Sequence, residues 1–354
     1  MNTTTSTTLP LPDFFDPAQA SEWAYTPDQQ AIFERAVEWR ERFRIAPAAE
    51  DRARVHLLLI DAQKDFCLPE GALFVGGRSG RGAIDDNERT ARFIYQNLDR
   101  LTQISCTLDT HHPYQIFSPA FWLGEDGRPP APHQEISVAD IRAGRLRPNP
   151  ALAAWFAGGD VEWLNRQAEA YCDALERAGR YKLYLWPPHC IAGSDGHALA
   201  GVIHAARMFH SYARLAPAPM LVKGEAPLTE FYSAVHPEVA TAFDGRVLAE
   251  PNHALLEVLE SADALLVAGQ AASHCVRTTL EDVLEHEGGR HAHKIYILRD
   301  CMTSIAVPDA TRPGDFAFDF TPQTDAAHER FAAAGMHIVD STVPMGEWLA
   351  VGNR

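Results

Sequence analysis

Val55-His-Leu-Leu-Leu-Ile60, followed at once by Asp61-Ala-Gln63-Lys64-Asp65-Phe66, is the stretch whose reading decides the fold. Apart from His56 the first six residues are wholly apolar, so the run reads as a strand covered on both faces, as in a parallel sheet with helices on either side. Five more short runs have the same character: Ile104–Leu108, Met220–Val222, Ala264–Ala268, Lys294–Leu298 and His337–Val339. Longer segments with helical spacing lie between them, at 86–101, 196–210, 275–287 and 323–334. Strands alternating with helices predict an α/β chain, a three-layer α/β/α sandwich around a six-stranded, mainly parallel sheet. In such sheets ligands sit at the carboxyl ends of the strands. The polar residues that succeed each apolar run are therefore the ones to inspect.

Outward from this frame the chain divides into an N-terminal arm and helix, 1–50, and a main domain, 51–354, with an insertion at about 124–180. Residues 1–25 are polar with scattered prolines and aromatics and read as an arm lying on the chain or on a partner subunit. Thr26-Pro27-Asp28-Gln29 carries helix-start chemistry, with Thr26 as cap and Pro27 in the first position, and Ile32, Phe33, Ala36, Val37 and Phe43 continue it to 44. The insertion opens at Gly124-Glu-Asp-Gly, holds a helical piece at 161–178 and closes on the apolar run Tyr181–Trp186. A second long loop, 307–322, is rich in Pro, Asp and Phe. Loops of such length are usually functional or interfacial.

Composition excludes several classes. The 354 residues carry a formal charge of −16 and no local basic stripe, which argues against nucleic acid and anionic membrane surfaces. No apolar run is long enough to span a bilayer, and the N-terminus lacks a basic segment followed by an apolar one. Six scattered cysteines without short paired spacing read as reduced thiols and a cytoplasmic location.

Four strand ends carry groups that can do chemistry. Asp61 closes the first strand, either acting in the cleft or capping the next turn of the chain. Asp109-Thr110-His111 closes the second; on an extended segment Asp109 and His111 point the same way and can converge on one cation. Lys223 closes the third, where its charge needs a partner unless it reaches solvent. Ala268-Gly269-Gln270-Ala271-Ala272-Ser273-His274-Cys275 closes the fourth, and Cys275 begins the next helix. A thiol at a helix N-terminus meets unpaired backbone N–H groups that favour its thiolate and can cradle an oxyanion. The competing reading is a buried, inert cysteine. Trp186-Pro187-Pro188-His189-Cys190 adds another imidazole on a proline-stiffened loop.

Taken together and in this order, these motifs resemble those of the isochorismatase-like cysteine hydrolases, and among them most closely those of nicotinamidases. The resemblance rests on Asp61-x-Gln63-x-Asp65-Phe66, Asp109-x-His111, Trp186-Pro-x-His189-Cys190, the strand-end Lys223 and Cys275-Val276, and it covers roughly 54–122 and 181–342. It implies that Cys275 is a nucleophile, that Asp61 takes its proton and that Lys223 supports the charged states of the pair. It further implies a divalent metal, zinc first with iron or manganese as alternatives, on Asp109, His111 and His189. Phe66 and Trp186 would flank the substrate. A cis peptide at Gln270-Ala271 would let the backbone N–H groups of Ala271 and Cys275 form the oxyanion hole. The implied activity is ammonia release from a small amide, nicotinamide giving nicotinate, by a homo-oligomer with a small-molecule substrate as its partner. Where the family commonly has a further polar residue near the metal, only Gln115 or His112 stands here. Other readings are a hydrolase of another small amide or carbamoyl compound, a metal-hydroxide hydrolase with a structural Cys275, and a non-catalytic ligand-binding member of the fold.

Overall fold

The computed structural model describes residues 8–349. The first threonines of the arm and the last residues of the main domain lie outside that range. The six apolar runs form β1 (Val55–Ile60), β2 (Gln103–Asp109), β3 (Met220–Lys223), β4 (Ala264–Gly269), β5 (Ile295–Leu298) and β6 (His337–Val339). They make one sheet in the order β6-β5-β4-β1-β2-β3, and every pairing in it is parallel. All of β1 and β4 is buried, as a central position with both faces covered requires.

Alternation along the strands divides the core into two layers. Leu57, Leu59, Ile104, Cys106, Leu266 and Ala268 face α2 (Gly82–Gln96) and α4 (Gly201–Arg214), with α1 (Gln29–Phe43) behind them. Leu58, Ile60, Leu265, Val267, Ile295 and Ile297 face α5 (His253–Ser261), α6 (Arg277–Glu285) and α7 (Thr321–Ala333). The arm joins the first layer: Leu9, Leu11, Phe14, Phe15, Trp23 and Tyr25 pack against it. Residues 8–25 thus lie on the chain's own core. The inserted segment holds a third cluster, in which α3 (Val161–Ala178) sets Trp163, Leu164 and Tyr171 against Phe121, Trp122 and Leu152.

Three local expectations need correction. Helix α1 is capped by Asp28, whose carboxylate accepts from Gln30 N and Ala31 N, so Thr26 and Pro27 stay outside it. Helix α2 starts at Gly82, ahead of the expected 86, and there the chain passes so close to Thr303 that a Cβ on Gly82 would lie 2.3 Å from Thr303 Cγ2. Residues 307–322 are no irregular loop; Ala306–Pro308 pairs antiparallel with Phe316–Asp319, and α7 follows at Thr321.

Candidate active site

The carboxyl ends of β1, β2, β3 and β4 converge on one cleft. At the end of β1, Asp61 adopts a left-handed φ of 46° and is fully buried. Thr107 of the neighbouring strand fixes it, the hydroxyl donating to Asp61 Oδ1 at 2.5 Å while accepting from Asp61 N at 3.0 Å. Gln63 ties the loop after β1 to β2: its amide donates to Asp109 O and its carbonyl accepts from Asp109 N, both at 2.8 Å. At the end of β4, Gly269 lies against β1 so closely that a Cβ there would stand 2.0 Å from Ile60 O. Its φ of 120° is also one that side chains rarely adopt, so only glycine lets the two strand ends approach. The Gln270–Ala271 peptide bond is cis.

Lys223 stands at the centre. Its Nζ is 2.9 Å from Asp61 Oδ2 and 3.2 Å from Asp109 Oδ1, and it donates to Phe231 O at 2.9 Å and towards Cys275 Sγ at 3.8 Å. Burial alone would strip the ammonium of its proton; the carboxylates of Asp109 and Asp61 outweigh it and hold Lys223 well above its ordinary value. Burial raises Asp61, against the pull of Lys223. Burial likewise raises the Cys275 thiol, again with Lys223 opposing.

The expected helix start at Cys275 needs correction. Cys275 sits inside a π-helical turn, Ala272–Val276, and α6 begins only at Arg277. Desolvation of the sulfur disfavours the thiolate, and the Lys223 ammonium favours it. Asp61, the neighbour that would receive the thiol proton, is shifted upward as well.

Asp109, His111 and His189 come together as a second group, all buried, with ligand atoms within 4.8 Å of one another. His111 Nδ1 meets His189 O at 3.1 Å and His189 Nδ1 meets Pro187 O at 2.8 Å. A carbonyl only accepts, so each Nδ1 carries the proton and each Nε2 is left with a lone pair. Burial above all pushes His189 down to about 3, which keeps that ring neutral. Asp109 Oδ1 is buried 3.1 Å from His111 Nε2 and 3.2 Å from Lys223 Nζ, with no hydrogen bond of good geometry to either. Gly224 leaves room beside them; a Cβ there would be 2.7 Å from Asp109 Oδ1 and 3.2 Å from His111 Nε2. One carboxylate and two imidazole lone pairs around an open space fit a divalent cation.

Phe66, Trp186, Ala271 and Cys275 all line the cleft, with Asp109, His111 and His189. The cleft measures about 1120 Å³. Gln115 and His112 do not join the metal-ligand group: Gln115 spends its amide on Gly224 O and Ala226 O, and the His112 side chain is 50% exposed. Sequence reasoning missed the role of Asp65. Its Oδ2 accepts from Cys190 N at 2.6 Å and its Oδ1 from Ala72 N at 3.0 Å, which pins the loop carrying His189. Its place in the Asp61-x-Gln63-x-Asp65 spacing was the available signal. Glu230 was missed too. It lines the cleft, accepts from Trp186 Nε1 at 2.9 Å, and is raised well above the carboxylate range by burial and then by Glu238.

Neither a protein-family model nor a curated protein sequence matches the chain. Among solved structures it is similar to the yeast nicotinamidase bound to the inhibitor nicotinaldehyde, with 17% identity and a TM-score of 0.50 over 81% of this chain and 99% of that one. It is also similar to an Acinetobacter baumanii nicotinamidase and pyrazinamidase, with 17% identity and a TM-score of 0.48 over 83% and 99% of the two chains. The likeness to the yeast protein shows the fold: an isochorismatase-like α/β sandwich built on six parallel strands.

Proposed function

We propose that this chain is a cysteine-dependent amidohydrolase of the nicotinamidase type, releasing ammonia from a small primary amide. The observation that carries the reading is the buried Lys223 between Asp61 and Cys275 at the wall of a cleft, 2.9 Å from the carboxylate and 3.8 Å from the sulfur. Burying an ammonium and two acids costs several kcal/mol per ion before pairing, on the order of what an apolar core would avoid altogether. A merely structural cluster gives no return for that cost, whereas proton transfer does.

In the proposed reaction Asp61 accepts the Cys275 proton as the sulfur attacks the amide carbonyl. The tetrahedral oxyanion is met by the backbone N–H groups of Ala271 and Cys275. Asp61 returns the proton to the departing nitrogen, the C–N bond breaks, and ammonia leaves a thioester on Cys275. Asp61 then takes a proton from water, which attacks the thioester; the acid is released and the proton returns to sulfur. Lys223 stays charged throughout and stabilises the thiolate and the carboxylate in turn. Phe66 and Trp186 hold the acyl group. Asp109, His111 and His189 would hold a divalent metal, zinc first, which supplies a Lewis-acid anchor for a lone pair on the substrate.

Ammonia release from nicotinamide by metal-replete protein, with Cys275→Ala as control, tests the reading. Release that survives the substitution excludes thiol chemistry, and no release from any primary amide defeats the amidase assignment. Six free, buried cysteines support a reducing, cytoplasmic setting. Among the described residues no helix is long and apolar enough to cross a membrane. Assembly into a homo-oligomer rests on the family resemblance, and a light-scattering mass of one chain would retire it.

A further inference from the structure

The cleft is larger than nicotinamide needs. Its volume of about 1120 Å³ stands above the roughly 300–1,000 Å³ that holds a drug-sized ligand, and a single ring with a carboxamide is far smaller than that. The added space is walled by the two long excursions of the chain. Tyr181, at the end of the insertion, lines the cleft and is held in place: its ring stacks on His274 at 5.7 Å and 20°, Arg277 lies 5.4 Å from its centre, and its oxygen accepts from Arg277 Nη2. Phe320, after the 306–319 hairpin, meets His274 edge-on at 5.1 Å. Phe318, on the hairpin itself, also lines the cleft, yet it is 60% exposed. A large apolar side chain kept in water at the rim of the cleft favours a flat apolar occupant that would cover it.

We propose that the substrate is a primary amide whose acyl group extends beyond its first ring or chain by a second flat, apolar group that packs against Phe318. The inference rests on the amidase reading for its chemistry and on Phe318 alone for binding, so the two are tested apart. Binding is measured by calorimetry on the metal-loaded Cys275→Ala protein with biphenyl-3-carboxamide and benzamide. Hydrolysis of the same amides is followed with the intact protein. The larger amide is expected to bind at least roughly tenfold tighter, in the range one well-placed apolar group confers in a pocket. Adding Phe318→Ser should bring that ratio close to one with benzamide binding unchanged; the side chain is exposed, so folding is spared. Equal affinities, no binding of the larger amide, or a ratio insensitive to Phe318→Ser would each overturn the proposal. A binding preference without ammonia release from these amides, from nicotinamide or from any other primary amide would sustain the subsite and defeat the amidase reading.

Discussion

Lys223 Nζ lies 2.9 Å from Asp61 Oδ2 and 3.2 Å from Asp109 Oδ1, so one buried ammonium joins the acid beside Cys275 to the acid of the Asp–His–His group. The side chains of Lys223 and Asp61 are 1% and 0% exposed, which leaves no water to screen or replace the pair. Two strand ends therefore share one positive charge, and the Asp61–Cys275 pair and the Asp109–His111–His189 group cannot be perturbed independently through it.

Lys223→Met keeps most of the volume and removes the charge. Asp61 is then a buried acid without its ammonium, a situation that costs about 3–5 kcal/mol when one partner of a buried pair is deleted. Ammonia release should fall on the order of a hundredfold or more, as when one preorganised charge-stabilising group is lost. Urea midpoints and the ammonia assay read the two effects. A Met variant with wild-type stability and rate would show that the ammonium compensates neither acid.

The strands were legible because each is an unbroken apolar run, and the two central ones are buried along their whole length. The strand-end residues Asp61, Asp109, His111, Lys223 and Cys275 were legible for the same reason, since a polar residue that ends a buried strand has few places to go. Features that depend on another segment's backbone escaped. Asp65 meets Cys190 across 125 positions, and no local pattern announces that contact. The π-helical turn around Cys275 escaped because it differs from an α-helical start by one residue of register. The 306–319 hairpin escaped because Pro308 and its turn residues mask the alternation of its two short strands.

On the proposed reading, Asp65 positions the loop that carries His189. Cys190 has a left-handed φ of 46°, and its N–H, next to His189, is held only through Asp65 Oδ2 at 2.6 Å. Asp65→Ala should lower zinc affinity roughly 10–100-fold, the range for losing an outer partner of a metal ligand. Asp65→Asn, which keeps an acceptor oxygen, should recover part of it. Chelator competition measures both, and an alanine variant within twofold of wild type would remove Asp65 from the metal site.

Gly224 tests the same site from the other side. Its φ is 85°, and an added methyl would come within 2.7 Å of Asp109 Oδ1, so alanine finds neither a relaxed backbone nor space. Gly224→Ala should push Asp109 off its position and reduce bound metal, read by elemental analysis after dialysis against a fixed zinc concentration. Full occupancy in the variant would mean that the space beside Asp109 and His111 is not where the cation sits.

Asp86 gives the fold a pH dependence of definite sign. It is buried beneath the cis peptide, accepting from Gln270 Nε2 at 2.8 Å and from Arg89 Nη2 at 2.8 Å. Burial pushes its carboxyl from 3.8 up to about 6, with the hydrogen bonds from Thr303, Gln270 and Arg89 pulling the other way. The native state therefore holds this proton more tightly than the unfolded chain does. The contribution is fully present below the unfolded value of 3.8 and is lost as pH rises through about 6, amounting to on the order of 3 kcal/mol. Asp86→Asn does not titrate, so subtracting its urea stability from that of the wild type isolates the effect and cancels other carboxylates. The difference should fall steadily across that window and level off above it. A difference that stays flat, or that grows with pH, would mean that Asp86 is ionised in the native state well below about 6, with its three donors outweighing its burial.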